Sequence, residues 1–177
     1  MLFRSEVAFL KWTRSELLHG AQSVTFDEDI VLDDSVFAGN SGILGVTDVH
    51  ADGSGSLDAD GNVFWCDLHV EGIMICPDSI TGEEIEVPFD TESQEVYSFI
   101  NSDEDGVRIV TDEVIDLLPA VIDDILLEVP LQVTVAAEDE YPEGDGWKVY
   151  SEAEYQESRK DRLDPRLAKL KQFNENE

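Results

Sequence analysis

The side chains best suited to chemistry in this chain are His50, Cys66, His69 and Cys76. Zinc would require them to converge tetrahedrally. Their spacing argues against it. The stretch Val63–Cys76 alternates apolar and polar residues, which predicts a half-buried strand with Cys66 and His69 on opposite sides. There is no Cys-x-x-Cys and no His-x-x-x-His. The expectation is no metal site, with both cysteines reduced in the core. Asp58–Ala59–Asp60–Gly61 imitates the middle of an EF-hand loop, with Ser56 at the first ligand position. Asp67 falls at the last, where a bidentate Glu is wanted. The flanks read as strands, and an Asp-Gly hairpin turn explains the same residues. Carboxylate pairs are too abundant for any one to signal acid–base chemistry. Nucleophile elbow, phosphate-binding loop and His-Glu-x-x-His are all missing. The chain therefore reads as a non-enzyme with no cofactor and no small-molecule substrate.

Charge is the loudest signal. The 177 residues hold 41 acids against 11 Lys and Arg, a formal charge of −30. Residues 15–147 carry 33 carboxylates and one base, Arg108. Such a body repels phosphate backbones and attracts basic proteins. Asp116, Asp123 and Asp124 are its candidate acidic partner face, with Asp123 and Asp124 on the polar, solvated side of a helix. The end of the chain reverses sign: Arg159, Lys160, Arg162, Arg166, Lys169 and Lys171 form a basic stretch. With Trp147, they are the candidate contacts to RNA or another partner. No apolar run approaches the roughly 20 residues of a bilayer span. The beginning lacks the apolar core and cleavage site of a signal peptide, so the expected location is the cytoplasm.

The elements that would position these groups follow from periodicity. Thr13–Arg14–Ser15–Glu16 has capping-box spacing and opens a short helix near 13–19. Val24, Phe26, Ile30 and Leu32 share one parity of a strand. Strands are expected at 43–50, 63–76 and 83–89, forming an antiparallel meander with 52–61 as a polar turn region, and a further strand at 95–100. Leu68, Val70, Met74, Val87 and Phe89 are its expected core residues. Thr111 is expected to cap a helix through residue 128 that backs the sheet, kinked or restarted at Pro119 and ended by Pro130. Ser151 caps a polar helix to about residue 160, and Asp164–Pro165 opens a basic one. The fold class is α+β: a meander packed against a central helix, with a helical C-terminal tail. The divisions are an extension at 1–12, an acidic domain at 13–136, an acidic linker at 137–146 and a partly basic tail at 147–177.

Three segments resemble the YceD/YlbN family of large-ribosomal-RNA accumulation proteins. The first is Lys11–Trp12 followed by Val24–Thr25–Phe26–Asp27–Glu28. The second is Val114–Ile115–Asp116–Leu117–Leu118–Pro119, continuing to Ile125–Leu126–Leu127–Glu128–Val129–Pro130. The third is Gly146–Trp147–Lys148–Val149 with Asp164–Pro165–Arg166–Leu167–Ala168–Lys169–Leu170. The resemblance implies a bacterial cytoplasmic protein needed for normal levels of large-subunit ribosomal RNA, with no established enzymatic activity. Many members carry Cys-x-x-Cys where this chain has Cys76–Pro77–Asp78–Ser79, so a paired-thiol role is not expected here. Members often start at Met-Lys-Trp, which marks residues 1–9 as an upstream extension.

The expected function is therefore a ribosome biogenesis factor that binds rather than catalyses. Its partner would be large-subunit ribosomal RNA or a basic large-subunit ribosomal protein. The alternatives are an acidic protein-binding or nucleic-acid-mimic module, and a metal-dependent RNA-processing enzyme.

Overall fold

The capping box at Thr13 forms as its spacing requires. Thr13 Oγ1 accepts from the Glu16 N–H and the Glu16 carboxylate accepts from the Thr13 N–H, opening helix α1 (Arg14–His19). The computed structural model describes residues 10–137 and 140–161. These fall into two compact units divided between Val133 and Thr134. The architecture is α+β.

In the first unit, strands β2 (Ser23–Ile30), β3 (Gly45–Leu57), β4 (Val63–Pro77), β5 (Glu84–Ser98) and β6 (Val107–Ile109) form one sheet in that order. All neighbours are antiparallel except β5 and β6, which are parallel. The alternation in Val63–Cys76 decides which side is buried. Phe64, Cys66, Leu68, Val70, Met74 and Cys76 all lie in the core. Helix α2 (Leu118–Glu128) packs on this side through Ala120, Val121 and Ile125. Each large apolar side chain buried there contributes about 1.5–3 kcal/mol. Phe89 is buried as expected, whereas Val87 is only half-buried, near the end of β5.

Strand β1 (Lys11–Thr13) pairs antiparallel with β7 (Val114–Asp116). Leu10 and Trp12, assigned by sequence to the N-terminal extension, join the core. Leu10 is buried, and the Trp12 ring lies 5.7 Å from Phe26 and 6.4 Å from Phe64. This pairing corrects the helix expected from Thr111. Residues 114–116 are taken by β1, and α2 starts only at Leu118, with Pro119 in its first turn. Proline costs least there, because its missing N–H would have had no partner in the helix.

Two further boundaries differ from expectation. The polar stretch 52–61 is mostly strand: β3 continues to Leu57 and the turn shrinks to 58–62. Gly53 and Gly55 explain this. A Cβ at Gly53 would strike the Asp67 carbonyl oxygen, and one at Gly55 the Phe64 ring. These glycines permit close strand approach rather than a turn. The Asp58 carboxylate accepts from the N–H groups of Asn62 and Val63, a local turn bond that accounts for the calcium-like residues. The strand expected at 95–100 is the end of the 15-residue β5.

A β-bulge between Thr47 and His50 reverses the inward parity of β3. Val46 points into the core before it, and Val49 and Ala51 after it; Asp48 takes φ 52°. The bulge is what puts His50 and Asp52 on the outer side.

In the second unit, β8 (Glu143–Gly144) and β9 (Trp147–Lys148) form a hairpin turned at Gly146, φ 83°. Helix α3 (Glu152–Asp161) follows, with Ser151 and Glu154 exchanging capping-box bonds. The expected basic helix at 166–173 lies outside the described residues.

Candidate functional site: the outer face of the sheet

Strand alternation that buries Phe64, Cys66, Leu68 and Val70 turns Trp65, Asp67, His69 and Glu71 outward. The same holds for Thr25, Asp27 and Asp29 on β2, and for His50, Asp52 and Ser54 beyond the bulge on β3. On β5 it holds for Asp90, Glu92 and Gln94. The register sets them in rows. Asp29, His50, Glu71 and Asp90 face one another across four strands, and Asp27, Asp52, His69 and Glu92 form the next row.

The two histidines sit between carboxylates. His50 Nδ1 is 2.8 Å from Asp29 Oδ1 and its Nε2 is 3.3 Å from Asp27 Oδ1. His69 Nδ1 is 2.7 Å from Asp52 Oδ1 and its Nε2 is 3.1 Å from Asp90 Oδ1. Hydrogen bonding to Asp29 raises the pKa of His50, with desolvation opposing it and the charges of Asp27, Asp29 and Asp52 adding to it. Bonding to Asp52 and Asp90 likewise raises that of His69. Protonated, each imidazole neutralises part of a carboxylate pair.

Lys and Arg are missing from this face among the described residues. Within the first unit, the described cations are bound elsewhere. Lys11 pairs with Asp116 at 3.1 Å and Arg14 with Glu113 at 3.2 Å. Arg108 reaches Glu95 at 2.6 Å and Asp123 at 2.8 Å. Arg14 also donates to the Gly61 carbonyl and Asn62 side chain and lies over Phe99, joining α1 to the β3–β4 turn.

The acids singled out on the sequence are therefore engaged within the fold. Asp116 holds Lys11 and accepts from the Leu118 N–H at the start of α2. Asp123 holds Arg108. Asp124 is not on a solvated side: it is 5% exposed and accepts a bond from Ser93. Amphipathic spacing places it on the flank of α2, and the core closes over that flank at β5. Burial raises its pKa, against the Ser93 hydrogen bond.

The basic residues divide by position. Arg159 lies on α3 with its guanidinium 5.9 Å from the Tyr155 ring, and Lys160 falls in the same helix. Arg162, Arg166, Lys169 and Lys171 lie outside the described residues. Trp147 is exposed on β9.

The cysteines and histidines weighed for zinc do not meet. Cys66 and Cys76 are free in the core, and burial pushes the Cys66 thiol up to about 12. His50 and His69 are on the opposite side of the sheet. A different trio does converge: His69, Glu71 and Asp90 bring one ligand atom each within 4.8 Å of one another. His69-x-Glu71 was visible as shared strand parity; Asp90 enters only through the β4–β5 register. This trio lies on the exposed face. Among the described residues, no helix is long and apolar enough to cross a membrane.

Comparison with known proteins gives one family and one relative. Residues 66–174 match the family described as large ribosomal RNA subunit accumulation protein YceD. The chain is 34% identical over 172 residues to an uncharacterized protein, YlbN, of Bacillus subtilis (strain 168), covering 93% of this chain and 96% of that one. No solved structure matches significantly.

Proposed function

The chain belongs to the YceD family of large ribosomal RNA subunit accumulation proteins, and on that premise we propose that it serves assembly of the large ribosomal subunit in the cytoplasm by binding, not by catalysis. The observation that carries this reading is the outer sheet face, where rows of carboxylates stand with no Lys or Arg among the described residues. Such a face attracts cationic partners and repels phosphates. A basic large-subunit ribosomal protein, shielded until delivery, fits it. The basic stretch from Arg159 to Lys171 has the opposite preference and supplies docking to ribosomal RNA.

Metal-dependent chemistry on RNA is the reading that the His69–Glu71–Asp90 trio would favour. The surrounding carboxylates weigh against it, because they would repel the substrate's phosphates.

The test is a pull-down of the full chain from lysate, with and without ribonuclease, together with sedimentation of ribosomal particles. The expected result is association with large-subunit precursors and retention of a basic protein after ribonuclease. A chain found in neither fraction would overturn the reading.

A further inference from the structure

The sheet has two sides and the first unit furnishes a helix for one of them. Helix α2 lies over the side of Leu68 and Ser93. On the other side, strands of up to 15 residues present Trp65, 49% exposed, at one end and half-buried Ile73 and Ile75 at the other. Carboxylates fill the middle. Among the described residues of the first unit, no helix lies over this face.

Resting on the binding role just proposed, we infer that this face seats an extended, Lys- and Arg-rich segment of a partner polypeptide. The segment lies over β2 to β5, with its cations against the carboxylates that flank His50 and His69 and its aliphatic stems on Trp65 and Ile73. Three features select this occupant. The first is charge: the face holds Asp27, Asp29, Asp52, Asp67, Glu71 and Asp90 with no Lys or Arg among the described residues, so RNA phosphates are repelled while ammonium and guanidinium groups are drawn in. The second is spacing. Same-side residues recur about every 6.6–6.8 Å along each strand, and strands lie about 4.8 Å apart. An extended peptide shows its own same-side residues at that repeat. The third is Trp65, whose exposed indole offers a cation–π platform beside the carboxylates.

The experiment uses the full chain and a synthetic 12-residue peptide alternating Arg and Ser, followed by anisotropy at low salt. One variant carries Asp27→Asn, Asp29→Asn and Asp52→Asn. A control carries the same change of charge in the exposed 101–106 loop: Asp103→Asn, Glu104→Gln and Asp105→Asn. The face variant is expected to lose about tenfold in affinity and the control less than about twofold. Equal losses would overturn the inference, because diffuse charge rather than this face would then be responsible. Co-sedimentation of the unaltered chain with large-subunit precursors is run alongside. Its failure removes the assembly role itself, whereas its success with a failed peptide titration removes only the occupant assigned to this face.

Discussion

Ser93 Oγ donates a 2.6 Å hydrogen bond to Asp124 Oδ2, tying the middle of β5 to the buried flank of α2. Nearby, Arg108 spans Glu95 on β5 and Asp123 on α2, so sheet and helix are joined by a polar seam beside the apolar one. Replacing one member exposes what the other needs. Asp124→Ala leaves the Ser93 hydroxyl without its acceptor and should cost about 1–3 kcal/mol. Asp124→Asn keeps an acceptor without a buried charge. It should melt at or above the parent temperature at pH 7. The sign follows from the raised pKa: the folded state favours the protonated acid, so the ionised form weakens folding as pH rises through the folded value. Thermal melts of both variants check this. An Asn variant as unstable as the Ala variant would refute it.

His50 and His69 predict a second pH dependence. Each is held by Asp groups on neighbouring strands: His50 by Asp27 and Asp29 on β2 with Asp52 beside it, His69 by Asp52 on β3 and Asp90 on β5. Glu71 and Glu92 face them across the β4 pairings. Their raised pKa values mean that protonated imidazoles favour the fold. That contribution is complete below the ordinary value of about 6.5 and is lost as pH rises through the higher folded value. Between pH 6 and 8 the parent should lose thermal stability, and the His50→Gln/His69→Gln variant should lose less. Binding of a basic peptide should strengthen over the same interval as the imidazolium charge leaves the face. Melting curves and titrations at matched ionic strength measure both.

Val70 is fully buried on the core side of β4. Val70→Asp would place a carboxylate there without a partner and should abolish soluble folding. Val70→Ala leaves a small cavity and should fold with a loss of about 2 kcal/mol. Soluble yield and denaturant midpoints report the two outcomes. A parent-like Val70→Asp variant would mean the strand register is wrong by one.

Deleting residues 158–177 removes Arg159 through Lys171 and leaves the described sheet and α2 intact in sequence. The deletion should preserve the circular dichroism of the body. It should weaken association with large-subunit precursors and flatten its dependence on salt, since fewer phosphates are then neutralised. Unchanged co-sedimentation would remove these bases from the mechanism.

Much of this fold is legible in local pattern. Parity along Val63–Cys76 is a property of one strand. It alone assigned Cys66, Leu68 and Val70 to the core and parted Cys66 from His69. The capping box at Thr13 and the α+β class are equally local. Family resemblance was legible in short segments for the same reason. What the sequence could not supply is anything that depends on which strand lies beside which. The pairing of β1 with β7, which claims residues 114–116 from the expected helix, joins positions about a hundred residues apart. The bulge at Asp48 turns His50 and Asp52 outward, and no periodicity announces a one-residue irregularity. Asp124 looked solvated because helical spacing gives an angle around an axis, whereas burial depends on how far the neighbouring sheet extends over that angle. The rows of carboxylates around His50 and His69 exist only through the registers of four strands. Charge composition already made the protein acidic; tertiary structure decided which acids hold Lys and Arg within the fold and which gather around His50 and His69 on one face.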